Sequence, residues 1–183
     1  MLSIMNAMQK YDFENSIGFI VNQAAKAFIK ALDSELRQKV GVTVGQWKVM
    51  VILVNQNGLA QKEIAEKLGL ESPTLIPIID KMEKEDLVIR KVDPNDRRNN
   101  RIYRTEKANT LWNNMIECGL KIREVSIKDI PEENVKIMKD TLEKMWQNLR
   151  RNFNVDCTII DNTVTATTNG TTTANTATTT TSA

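Results

Sequence analysis

Histidine is absent from the 183 residues. Its absence removes the commonest general base, the usual partner of a nucleophilic serine or cysteine, and the commonest transition-metal ligand. Cysteine is almost absent too: Cys118 and Cys157 stand far apart and cannot form a disulfide framework, in keeping with a reducing compartment. The seven glycines are scattered, and none falls in a GxGxxG or GxxxxGK arrangement, so no loop is built to cradle phosphates. Long apolar runs are also lacking. The longest, Val49 to Val54, is far too short to cross a bilayer, and Met1 to Lys10 has no charged start, apolar middle and small-residue cleavage site. These gaps predict a cytoplasmic protein without a membrane partner, an enzymatic activity, a cofactor or a metal.

Charge of one sign is not in large excess: 25 Lys and Arg face 23 Asp and Glu, a net of +2. A uniformly basic coat is excluded, so any polyanion surface is a local patch. From Asn154 onward the composition turns to Thr, Ala and Asn with no Lys or Arg, and this tail, 154 to 183, is expected to be disordered. A hydrophobic content of 41% is enough for the preceding body to bury a core.

The body reads as mainly α with a small β wing. Ile17, Ile20, Val21, Ala24, Ala27, Phe28, Ala31, Leu32 and Leu36 recur at three- and four-residue steps, predicting a long amphipathic helix that Gly41 closes. Thr43 caps a second helix with Trp47, Met50, Val51 and Val54 on its buried side, stopped by Asn57 and Gly58. Thr105 caps a fifth, with Leu111, Trp112, Met115, Ile116, Leu120 and Val125 along one face. Pro131 begins a sixth, whose Val135, Met138, Leu142, Met145, Leu149 and Phe153 form a stripe near heptad spacing. Such a stripe needs a partner: a second copy of the chain is the economical one, and packing back on its own domain is the other.

Between Gln61 and Asp86 lie two short helical patterns around a tight turn, arranged as in a helix-turn-helix. Ala65 is small where the helices cross, Gly69 suits a left-handed end, and Leu75, Ile78, Ile79 and Met82 bury the second helix. Ser72 before Pro73 reads as that helix's cap. Leu87 to Val92 and Arg101 to Thr105 fit two strands around a protruding polar turn. From Leu87 to Lys107 there are seven positive and three negative residues, a local excess that matches the body's whole surplus. Arginines on such a loop suit a narrow minor groove.

These residues carry a resemblance. Gln61-Lys-Glu-Ile-Ala-Glu-Lys-Leu-Gly-Leu, Ile79-Asp-Lys-Met-Glu-Lys-Glu-Asp-Leu-Val, Asp93-Pro-Asn-Asp-Arg-Arg and Tyr103-Arg-Thr-Glu-Lys stand in order and spacing as in the MarR family of winged helix-turn-helix regulators, which residues 12 to 153 resemble. The resemblance implies a homodimer acting on a palindromic operator in double-stranded DNA, typically as a repressor. Residues 12 to 40 and 106 to 153 would supply the dimerisation helices and 43 to 104 the DNA-binding lobe, with the wing at about 87 to 104. Arg98 would enter the minor groove, with Asp96 orienting the wing; an Asp96 to Arg98 ion pair of purely structural use is the alternative. Ser72, Thr74 and Ile76 are candidates for base contact, beside Pro77; Gln61, Lys62 and Lys81 for phosphate; Arg97 and Arg101 for the wing's share.

Two departures from the family bear on this reading. Ala60 stands where a capping Thr or Ser is frequent, weakening the third helix by roughly 1 kcal/mol unless something compensates. Pro73, Ile76 and Pro77 replace polar or basic residues, so direct readout is expected to be poor in polar contacts. Trp47, Met50 and Trp112 read most simply as core, and alternatively as lining for a small aromatic effector of the kind relatives bind. Cys118 reads as an inert packing residue, with redox sensing as the lesser alternative. A winged-helix protein-interaction module without sequence-specific DNA binding remains the rival function.

Overall fold

The structure is a computed structural model that describes residues 12–94, 96–97 and 99–153. Arg98, Cys157 and the Thr-rich tail lie outside the described residues. The element order is α1 (Ile17–Lys39), α2 (Val44–Asn55), β1 (Leu59–Ala60), α3 (Gln61–Leu68), α4 (Ser72–Lys84), β2 (Val88–Val92), β3 (Asn100–Arg104), α5 (Glu106–Ser126) and α6 (Glu132–Phe153). Among the described residues no helix is long and apolar enough to cross a membrane.

Local chemistry explains most of the boundaries. Ser16, Thr43 and Thr105 each accept a bond from the backbone N–H three residues on, capping α1, α2 and α5. At α2 the Gln46 side chain also takes the Thr43 N–H, completing a reciprocal box. Gly69 ends α3 at φ 63°, in the left-handed region that glycine adopts without penalty. Ala60 has no side-chain acceptor, yet the Glu63 carboxylate takes its N–H at 2.7 Å, so half of a capping box compensates the missing hydroxyl. Two expected starts move by one residue. Glu71, not Ser72, is the extended residue that precedes α4, because Pro73 lacks an N–H that any position of a first turn would leave free anyway. Pro131 likewise lies just before α6, its carbonyl accepting from Asn134 and Val135.

The strands form one antiparallel sheet in the order β1-β3-β2. Leu59 pairs with Ile102, and the β2–β3 hairpin runs from Val88 opposite Arg104 to Val92 opposite Asn100. Strand β1 is only two residues long, too short for any alternation to announce it.

The core sits in the α2–α4 lobe, where Val49, Met50, Leu53, Ile64, Leu75, Ile79, Met82 and Ile102 are sealed from solvent. Trp47, Val51 and Val54, expected on the buried side of α2, are only half-buried, and Ile52 and Val49 take their places. The long helices behave differently. Only Leu32 and Leu36 of α1, Ala108, Met115 and Cys118 of α5, and Val135 of α6 are buried. Ile17, Ile20, Ile116, Leu120, Val125, Met138, Leu142, Leu149 and Phe153 lie exposed in the protomer, although their spacing marks apolar helix faces.

Candidate nucleic-acid interface

Helix α4 presents its buried side through Leu75, Ile79 and Met82, which are in register for one face. The opposite side is consequently set by the same period, and Ser72, Pro73, Thr74, Ile76 and Pro77 all lie exposed there or around the first turn. Ile76 is 44% exposed. Helix α4 is continuous from Ser72 to Lys84 through Pro77, whose missing N–H deletes a single bond. Ser72, Thr74, Ile76 and Pro77 are thus all exposed on the first two turns of one helix.

The charged candidates are distributed around it. Gln61 is half-buried at the first turn of α3, while Lys62 is well exposed and only loosely paired with Glu66 at 3.7 Å. Lys81 lies 3.6 Å from Glu85 on α4. Arg97 is exposed in the turn of the wing. Asp96 accepts from the Asn99 side chain at 2.9 Å, and the Asn99 backbone N–H donates to the Asp96 carbonyl, so Asp96 helps shape that turn.

Arg101 has an intramolecular use. Its Nε donates to the buried Asp93 carboxylate at 2.6 Å and its Nη1 to the Gly58 carbonyl at 2.9 Å. The guanidinium therefore ties the far side of the wing to the turn before β1. Sequence reasoning takes Arg101 as one more basic loop residue because nothing local reveals that Asp93 and Gly58 converge on it.

Two further residues escape a reading by sequence. Gln46 is buried, and besides capping α2 it donates to the Glu85 carboxylate at the end of α4, whose backbone carbonyl also accepts from Lys107 Nζ at 2.7 Å. Its position three residues after Thr43 is a legible capping signal, but its reach to Glu85 is not. Arg90, on β2, grips Asp80 and Glu83 of α4.

Behind the reading lobe, α1 is tied to its neighbours by carboxylates. Asp33 accepts from Arg37 and from the Val44 N–H, and Glu35 from Lys121 at 2.8 Å and less closely from Lys39. The Arg37 hydrogen bond, then the Val44 N–H, hold the Asp33 carboxyl below its ordinary pKa; Lys121 does the same for Glu35 against the opposing effect of burial.

Met50 is completely buried, so a small molecule would reach it only by displacing core side chains. Trp47 and Trp112 are half-buried and pack against the core, and the buried Trp47 Nε1 has no hydrogen-bond partner among the described residues. A cleft of about 700 Å³ lies elsewhere, between the end of α5 and the start of α6, lined by Arg123, Ile130, Glu133 and Lys136 among others.

Cys118 is buried, with its Sγ toward the Glu35 carbonyl at 4.0 Å, and burial followed by the Glu35 carboxylate pushes its thiol pKa up. A thiol held protonated and covered is a poor nucleophile. Iodoacetamide labelling followed site by site by mass spectrometry should modify Cys118 at least about tenfold more slowly in the folded chain than after denaturation. Equal rates would restore the case for redox sensing.

The sequence model of the MarR family matches residues 42–99. The HTH-type transcriptional regulator SarZ of Staphylococcus aureus is 29% identical over 104 residues, covering 57% of this chain and 70% of its own. Among solved structures, a MarR-family transcriptional regulator from Rhodococcus sp. RHA1 superposes with a TM-score of 0.66 at 26% identity, covering 74% of this chain and 96% of its own. CouR from Rhodococcus jostii RHA1, solved bound to p-coumaroyl-CoA, superposes with a TM-score of 0.63 at 24% identity, covering 74% and 95%.

Proposed function

The chain belongs to the MarR family of transcriptional regulators, and from that premise we propose that it is a homodimeric repressor that binds a palindromic operator in double-stranded DNA. The observation that carries this reading is the exposure of Ser72, Thr74, Ile76 and Pro77 on the first two turns of α4, beside the basic β2–β3 hairpin. Helix α4 enters the major groove, where Ser72 and Thr74 hydrogen-bond to base edges and Ile76 meets a thymine methyl. Gln61, Lys62 and Lys81 contact phosphate and fix the register. Arg97 reaches the minor groove together with Arg98, which the family resemblance assigns there. Arg101 braces the wing from behind.

Residues 12–40 and 106–153 form the dimer, covering the apolar faces that α1, α5 and α6 leave open. Two-fold symmetry then sets the recognition helices about one helical turn of DNA apart, and occupancy of the operator blocks polymerase. A small aromatic effector would shift the dimer to a geometry whose reading heads no longer match that spacing, within the limit of its differential affinity for the two states. The binding of p-coumaroyl-CoA by CouR, and a Trp47 Nε1 that has no hydrogen-bond partner among the described residues, support this part of the reading.

The exposed Ile76 and Pro77 also suit a protein-interaction surface, and salt separates the two functions. Fluorescence anisotropy with the DNA upstream of the chain's own gene, against scrambled DNA, is expected to show selective binding. Affinity should fall about a thousandfold or more between low and moderate salt if six or more phosphates are neutralised. Arg98→Ala should weaken binding at both salts. Binding that is unselective and indifferent to salt would discard the operator reading in favour of a protein partner.

A further inference from the structure

Helix α4 has no net charge of its own, since Asp80 and Glu83 offset Lys81 and Lys84. The two carboxylates stand three residues apart and so share one side of the helix. Arg90 of β2 meets both: its Nη2 donates to Asp80 Oδ1 at 2.5 Å, its Nη1 to Glu83 Oε2, and its backbone N–H to Glu83 Oε1 at 3.3 Å. The Arg90 side chain is only 20% exposed, while those of Asp80 and Glu83 are 47% and 41% exposed.

What lies between the partners gives this fork its meaning. The joint from α4 to β2 passes through Asp86 at φ 56°, a left-handed conformation at a residue other than glycine. Its N–H bonds to Glu83 and that of Leu87 to Met82, which closes the turn tightly. Backbone of this kind persists only where the surroundings over-determine it. Thr105 Oγ1 holds the Asp86 carbonyl on one side of the joint at 2.7 Å, and Arg90 holds the helix on the other.

We propose that Arg90 is a positioning residue for DNA recognition, locking the α4 reading helix to the wing hairpin through Asp80 and Glu83 so that the two enter adjacent grooves at a set angle. The inference rests on the DNA-binding reading above. A planar fork with two donors directed at two carboxylates fixes an angle as a point charge cannot. Removal of the lock should therefore impair fit rather than attraction.

The test uses the full chain and two duplex probes: one enriched by the wild type from a randomised pool, and the unselected pool itself. Asp80→Asn with Glu83→Gln makes the helix more positive, so affinity for the unselected pool should rise. Affinity for the enriched duplex should nonetheless fall about tenfold, because the two reading elements lose their relative angle. Arg90→Lys keeps the charge and should lose selectivity while leaving binding to the pool unchanged. A parallel gain on both probes in the double variant would reduce Arg90 to an electrostatic role and overturn the proposal. Should the wild type enrich no duplex, the DNA reading fails, and amide hydrogen exchange decides the lock by itself: faster exchange at residues 86–90 in the double variant sustains it, and unchanged exchange overturns it.

Discussion

Replacement of Gly58 by alanine is expected to lower the stability of the protein by about 2–3 kcal/mol, roughly 5–10 °C in melting temperature, and to weaken DNA binding with it. Gly58 has φ 78°, and a Cβ built there would lie 2.6 Å from the Tyr103 ring. Both terms oppose the substitution, but they differ in kind. The backbone term cannot relax, because the Gly58 N–H bonds to the Ile102 carbonyl at 3.0 Å and its own carbonyl takes Arg101. The steric term can relax in part if the Tyr103 ring swings aside, at the expense of its contact with Lys91, whose Nζ lies 5.0 Å from the ring centroid. Gly41 is the internal control: φ is 77° and nothing lies within 4 Å of a built Cβ, so Gly41→Ala isolates the backbone penalty at about 1 kcal/mol. Calorimetry on the two variants gives the comparison. Equal losses would mean that Tyr103 yields freely; no loss at Gly58 would mean that the turn before β1 does not hold the wing.

The second large effect concerns the apolar faces of the long helices. In Leu142→Glu a carboxylate enters the middle of the α6 stripe, and in a two-fold dimer it does so twice. Burial of an unpaired carboxylate against apolar surface is unfavourable enough to raise the dimer dissociation constant about a thousandfold, some 4 kcal/mol. Light scattering behind size-exclusion chromatography should show a dimeric wild type and a monomeric Leu142→Glu at micromolar concentration. Operator affinity should then collapse, since one reading head loses the contribution of its partner. Leu142 is 39% exposed in the protomer, so the monomer has little intramolecular packing to lose there. A monomeric wild type, or a variant that stays dimeric, would mean that something other than a second copy covers α6.

Much of the reading lobe was legible in the sequence because the signals are local. Thr43 and Thr105 cap where a hydroxyl followed by a helical pattern says they should, and Gly69 ends α3 in the conformation for which glycine is suited. The hairpin was legible from alternation and its polar turn. The same local logic misplaced the start of α4 by one residue: Glu71 precedes the helix without a side-chain cap, and Pro73 tolerates either start.

The sequence by itself determined which segments become helices and where they stop; these follow from hydrogen-bonding capacity and period, both properties of neighbours in the chain. It also determined that chemistry needing histidine has no residue to run on. Tertiary structure alone decided how each side chain is employed. Arg101, one cation among six on the wing, became its brace once Asp93 and Gly58 were folded beside it. Arg90 became a lock between helix and hairpin when α4 packed against β2. Gln46 extended from a cap of α2 to the far end of α4. Only the folded protomer separates apolar residues that meet the core from those still exposed, such as Leu120 at 55% and Phe153 at 72%. The physical reason is the same in each case: ion pairs and burial depend on the distance between segments remote in sequence, and no periodicity encodes that distance.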